Sequence, residues 1–195
     1  IHEVRLNKHM NYKEEFGKIN PDRKIPTIDD DGFILTESHA IMTYLLAKYG
    51  KEGHLYPSDP KQRALVDSYL HWHHTNIRSI MKLFQYHYPK QLAYKIHHIK
   101  EVEEENVRKS LKYIDEYFLK DKKFIHGLEQ LSIADISAAC EITQLEMIDF
   151  DLTEYPNVEN WLYNMMKFKE MKEAHEVYDK LVSIARSKKI WSFCN

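Results

Sequence analysis

At 195 residues, 43% of them hydrophobic and 12% aromatic, the chain is long enough to bury one medium core or two small ones. Its 28 Lys and Arg nearly balance 30 Asp and Glu, so the overall field gives no reason to expect nucleic acid or an anionic bilayer as a partner. No apolar run approaches the ~20 residues of a membrane span, and no secretory-type sequence opens the chain, so the expected location is cytoplasmic.

In chain order, "IHEVRL" (1–6) alternates as a half-buried strand does, and "NYKEEFGKI" (11–19) reads as a short helix or turn ending near Gly17. The chain opens on Ile1 and runs straight into that strand pattern, which leads us to expect that it begins inside a domain. "IPTI" and "FILT" flank "DDDG" (29–32), an Asp-Gly turn signal that predicts a hairpin. From Ser38, Ile41, Met42, Leu45, Leu46 and Tyr49 recur at helical spacing up to Gly50. Residues 1–50 thus read as a small α/β unit and residues 51–59, with Gly53 and Pro57, as a linker. Asp59-Pro60 then supplies an N-cap and a preorganised first helical position, and residues 60–195 read as all-helical.

One helix is predicted from Pro60 to about Pro89, with Val66, Tyr69, Leu70, His73, Ile77, Ile80, Met81 and Phe84 on its core-facing side. A second runs roughly from Leu92 to Leu119, carrying "KEVEEEN" on its solvated face. "LSIAD" opens a third: Ser132 is the N-cap, Asp135 closes a capping box, and Leu131 with Ile136 is placed for a hydrophobic staple. Further helices are expected from about Asn157 and from about Glu170 to Ala185. Cys140 reads as a core residue, and with Cys194 it makes neither a disulfide framework nor a metal pattern.

The segment "KIPTIDDDGFILTESHAI" (24–41) gathers groups that can hold a ligand. Pro26 cannot donate to a ladder, and a cis bond there would turn the N–H and C=O of Ile25 toward a peptide-like partner. Ser38 stands at a helix start, where free amides and the dipole attract a carboxylate, and Glu37 can accept from an ammonium group. Lys24 can meet a second carboxylate. The alternative is that Ser38 and Glu37 only cap the helix and Lys24 is a solvated loop residue. Asp67, His71, His74 and Arg78 recur at i, i+4, i+7 and i+11, a polar stripe that faces either a cleft or solvent. "HWHH" offers no convincing third ligand, so no metal site is expected.

"NPDRKIPTIDDDGFILTESHAIMTYL" resembles the asparagine-proline, lysine-hydrophobic-proline and threonine-glutamate-serine sequence of glutathione transferases. "YLHWHHTNIR" and "EAHEVYDKL" are similar to their theta class, and "LSIADISAACEITQL" resembles the family's capping-box helix. The resemblance implies a thioredoxin-like N-terminal domain followed by an all-α C-terminal domain, a homodimer, and glutathione as co-substrate with no further cofactor. By that resemblance Ile25 and the cis Pro26 hold the cysteinyl part of glutathione, Glu37 and Ser38 its γ-glutamyl end, and Lys24 its glycine carboxylate. His9 or Asn11 stands near where family members carry a contacting histidine. Arg78 becomes an accessory catalytic group facing the cleft, with Asp67 and His74 lining it. The expected reaction is attack of the glutathione thiolate on a small electrophile. On the same resemblance the first strand, first helix and catalytic serine of the N-terminal domain are absent from these 195 residues, which predicts an impaired enzyme. The alternatives are a non-catalytic glutathione or hydrophobic-ligand binding protein and a structural docking module.

Overall fold

The computed structural model describes residues 2–5, 8–87 and 100–187. His2–Arg5 runs without a ladder partner, so the strand expected from "IHEVRL" is not formed over those residues; Ile1 and Leu6 lie outside the described set. A strand pattern becomes a strand only where a neighbour pairs with it, and the described sheet holds two strands alone. A 3₁₀ turn (Met10–Tyr12) leads into α1 (Glu14–Ile19), which continues through Gly17 rather than ending there. β1 (Thr27–Asp30) and β2 (Phe33–Thr36) pair antiparallel, with Asp30 opposite Phe33. Asp31 and Gly32 both take positive φ, 53° and 87°, the geometry of the tight turn that suits the right-handed twist of the strands. The Asp29 carboxylate accepts from Gly32 N–H at 2.8 Å.

α2 (Ser38–Tyr49) lies against this hairpin. Asp30 clamps it there by accepting from Tyr44, Lys48 and Tyr49, and these bonds hold its carboxyl down at about 2. The connector then crosses to the helical part, where Leu55 C=O accepts from Ile133 N–H at 2.9 Å.

The helix expected to run unbroken from Pro60 is two helices, α3 (Pro60–Thr75) and α4 (Ser79–His87); Pro89 lies outside the described residues. Asn76 makes the break. Its amide donates to Trp72 C=O at 2.9 Å, a carbonyl that its own N–H also reaches at 3.2 Å, and its backbone leaves the α region at φ −121°, ψ −84°. Both halves still bury the predicted stripe: Val66, Tyr69, Ile77 and Ile80 are fully enclosed, with Met81 and Phe84 half-buried. α5 (Lys100–Tyr113) follows, residues 92–99 of the expected helix lying outside the described set. It ends in a π turn (Ile114–Phe118), where Leu119 N–H reaches Ile114 C=O.

α6 (Ile133–Ile142) starts on the predicted capping box, Ser132 Oγ accepting from Ala134 N–H and Asp135 returning to Ser132 N–H. α7 (Pro156–Met165) and α8 (Lys169–Ser187) complete the helical part. The start of α7 is capped from a distance: Asp115 accepts from Asn157 and Val158 N–H at 2.7 and 3.0 Å. No helix among the described residues is long and apolar enough to cross a membrane.

Candidate functional site

A cavity of about 450 Å³ opens where the α1–β1 loop and the start of α2 meet α3, Arg78 and α6. The loop wall is set by Asn20, which is buried and donates to Lys24 C=O at 2.9 Å and to Thr27 Oγ1 at 3.1 Å while accepting from Asp22 N–H. One amide thus organises the turn that delivers Lys24, Ile25 and Pro26 to the cavity. The Ile25–Pro26 bond is cis, and no hydrogen bond among the described residues uses the N–H or C=O of Ile25, whose side chain is half-exposed.

At the opposite wall, Glu37 occupies the cap position of α2 and Ser38 the first helical position. Neither side chain caps the helix, and the N–H groups of Ser38, His39 and Ala40 have no partner among the described residues. Glu37 is held at φ 68°, ψ 113°, outside the regions open to ordinary residues, a cost of about 1–3 kcal/mol that the surroundings must impose. The result is a negative carboxylate, a hydroxyl and free amides side by side on one rim, with the Lys24 ammonium on the same cavity. That rim suits a zwitterion: carboxylate against the helix start and ammonium against Glu37.

The floor is made by helices. Glu141 on α6 is 3% exposed; one carboxylate oxygen accepts from Arg78 and lies 3.6 Å from His73 Nε2, and the other has no partner among the described residues. Arg78 is therefore fixed at the cavity by a buried carboxylate while half of its side chain stays open to solvent. Beside it sit three imidazoles, His39 with ring centres 5.0 Å from His73 and 4.5 Å from His74. Burial, then the neighbouring His73 and His74, pushes His39 down to about 4, and burial likewise lowers His74. At neutral pH His39 is an uncharged hydrogen-bonding group, its Nε2 2.7 Å from Ser137 Oγ.

Lys24, Ile25, Pro26, Glu37, Ser38, His74 and Arg78 thus border one cavity, and the stripe holds together across the break at Asn76 only for His74 and Arg78. Asp67 is elsewhere: it accepts from Tyr56 Oη at 2.7 Å and does not line the cavity. Nor do His9 and Asn11. Asn11 is buried and donates to Arg23 C=O at 3.0 Å, which ties the 3₁₀ turn to the loop, and His9 is an exposed left-handed residue at φ 53°. Cys140, expected in the core, is exposed at the cavity, where burial of its inner side, followed by Glu141, raises its thiol pKa. Ala134, Ala138 and Ile142 take the core side of α6 instead. Ser137, Glu141 and Gln144, which the motif reading passed over, line the cavity with Ile136 and Cys140, and the five recur at i, i+1, i+4, i+5 and i+8, the signal of a second helix face. No cluster able to hold a metal occurs among the described residues.

Residues 1–53 match the family profile described as the glutathione S-transferase N-terminal domain, and residues 77–168 that described as the glutathione S-transferase C-terminal domain. Glutathione S-transferase D7 of Drosophila melanogaster is 35% identical over 157 residues, which cover 80% of this chain and 67% of the relative. The chain belongs to the glutathione S-transferase family. Glutathione S-transferase T3 of Arabidopsis thaliana is 36% identical over 89% of this chain, which spans about a third (32%) of that relative's length. The solved structure of human glutathione transferase theta-2 with glutathione has 31% identity and a TM-score of 0.84, covering 96% of this chain and 79% of that one. This glutathione S-transferase accordingly joins a thioredoxin-like N-terminal domain with a small sheet to a helical C-terminal domain.

Proposed function

We propose that the chain binds glutathione in the 450 Å³ cavity and serves a theta-type glutathione transferase that conjugates it to small electrophiles. The observation that carries this reading is the pairing of two unused backbone sets on one cavity: Ile25 N–H and C=O, and the free amides at the start of α2. A γ-linked peptide presents what these need. Its cysteinyl backbone pairs with Ile25 beside Pro26, its α-carboxylate meets Ser38 and the α2 amides, its α-ammonium meets Glu37, and its glycine carboxylate reaches Lys24. In this assignment residues 1–50 hold glutathione, 51–59 link, and 60–195 supply the electrophile pocket of a cytoplasmic homodimer.

A thiol with a pKa near 8.5 is mostly protonated at neutral pH, so the site must favour the anion. Arg78 does this through its fixed positive charge, anchored by Glu141. The thiolate sulfur then bonds to the electrophilic carbon while the leaving group departs with its electron pair and the thiol proton passes to solvent. The test is a titration of thiolate absorbance against pH with glutathione bound. Arg78→Ala is expected to raise the apparent thiol pKa, and an unchanged profile would remove Arg78 from the mechanism. Failure of glutathione to bind by calorimetry would remove the cavity assignment, and little or no turnover by these 195 residues is the expected result, since the catalytic serine segment implied by the resemblance is not among them.

A further inference from the structure

Ser137 on α6, half-buried where it lines the 450 Å³ cavity, lies between two imidazoles: its Oγ is 2.7 Å from His39 Nε2 and 3.4 Å from His73 Nδ1. On the far side of His73, Nε2 lies 3.6 Å from the Glu141 carboxylate, and His73 and Glu141 are both nearly enclosed. Ser137 and Glu141 are one turn apart on α6, His73 stands in the last turn of α3 and His39 in the first turn of α2, so these four groups meet only where the three helices do.

Hydrogen bonding assigns their roles. A carboxylate only accepts, so His73 turns its Nε2–H to Glu141 and keeps a lone pair on Nδ1. Ser137 donates to that lone pair, Tyr69 Oη at 3.5 Å being the other hydroxyl in reach, and His39 gives its Nε2–H to Ser137 Oγ. Burial, then His73 and His74, keeps His39 uncharged, so a proton leaving Ser137 passes to His73, which has the carboxylate behind it. A hydroxyl, an imidazole within reach of its proton and a carboxylate behind that imidazole make an activated nucleophile, and separations of 3.4 and 3.6 Å are of the kind that tighten when substrate binds. Arg78, half-exposed on the same cavity, adds a positive charge for an oxyanion or a departing thiolate.

We infer that Ser137 is the nucleophile of a second activity, the hydrolysis of glutathione thioesters through an acyl-serine, an inference that rests on reading this cavity as the glutathione site. Ser137 Oγ bonds to the thioester carbonyl carbon while its proton passes to His73 Nδ1. The C–S bond then breaks, and glutathione leaves with the electron pair and takes the proton from His73. Water attacks the acyl-serine, giving a proton to His73, which returns it to Ser137 as the carboxylic acid departs. The sum is thioester and water to glutathione and carboxylic acid. Every group this needs lies within the 195 residues, in contrast to the serine that the resemblance implies for conjugation.

The 195-residue chain is given S-acetylglutathione and, separately, p-nitrophenyl acetate, an ester that needs no glutathione site. Thiol and p-nitrophenol release are followed, and the acetylated peptide is located by mass spectrometry. Both probes are expected to react faster than in buffer and to leave acetyl on Ser137. Ser137→Ala should remove the adduct and return both rates to that of buffer while keeping glutathione affinity by calorimetry, and His73→Gln should slow acetylation about 100-fold or more. Absence of an adduct with p-nitrophenyl acetate, or acetyl on Cys140 one turn away, would overturn the nucleophile assignment whether or not glutathione binds. Acetylation of Ser137 by the ester without cleavage of the thioester would overturn the substrate assignment, and calorimetry separates the causes: if glutathione binds, the cavity reading stands and the thioester activity alone falls, and if it does not, both fall.

Discussion

The starts of α2 and α6 both carry a serine, and the two are used in opposite ways. At α6, Ser132 is 1% exposed and Asp135 is fully enclosed, and every polar atom of the cap has a partner. Asp135 also accepts from Ile125 N–H at 2.8 Å and Trp161 Nε1 at 3.1 Å, so one carboxylate joins the turn at Ile125 to α7. At α2, Glu37 and Ser38 cap nothing, the first amides are free, the backbone of Glu37 is strained, and the whole assembly faces a cavity. A helix start that satisfies itself holds a fold together. One left unsatisfied at a cavity is available to a ligand, and its strain is sustained by the rest of the fold.

The sharpest break of the comparison is Asp135→Ala. It strands four donors inside the protein and should cost at least about 3 kcal/mol in urea denaturation, with glutathione affinity intact in whatever protein remains folded. A loss under 1 kcal/mol would mean that the α6 cap does not hold the fold. Next in size, Glu37→Ala and Ser38→Ala should each weaken glutathione binding by about 1.5–3 kcal/mol while the melting temperature stays in place. Lowered stability with unchanged affinity would make α2 a second structural cap. Ser132→Ala should show the converse, about 1 kcal/mol of stability and no change in affinity by calorimetry.

His39, one residue inside α2, sharpens the contrast through pH. Its ring protonates near 6.5 in the unfolded chain and about 4 in the folded one, so between those values the unfolded state binds more protons. The stabilisation is complete above pH 6.5 and is lost as pH falls toward 4, by about 1 kcal/mol once solvent screening of a half-buried ring is counted. His39→Phe should flatten that part of the melting-temperature profile, and an equally steep profile in the variant would assign the loss to other groups. The smallest effect is expected from Glu37→Gly, which frees the positive φ and should stabilise by under about 1 kcal/mol while glutathione binding falls as in Glu37→Ala. Destabilisation would show that φ 68° is not a strained state in this loop.

Features whose causes lie within a few residues could be read from the sequence. The Asp31-Gly32 turn needs only two positive φ angles, the Ser132–Asp135 box only four consecutive residues, and the start of α3 only Asp59 and Pro60, where Asp59 accepts from Gln62 N–H at 2.9 Å. The neighbourhood of Lys24, Ile25, Pro26, Glu37 and Ser38 was legible for the same reason, since a short hairpin brings both ends of one segment to one cavity. Tertiary structure decided the rest. "IHEVRL" carries the alternation of a strand, but a ladder requires a partner that no local pattern supplies. The predicted long helix breaks at Asn76, where the side-chain amide and the backbone N–H share Trp72 C=O and the backbone turns to φ −121°, ψ −84°, a change that apolar periodicity does not register. Cys140 and Glu141 came to the cavity because the two faces of α6 are told apart only by what packs on each: the core takes Ala134, Ala138 and Ile142, and the meeting of α2, α3 and α6 leaves the other face open.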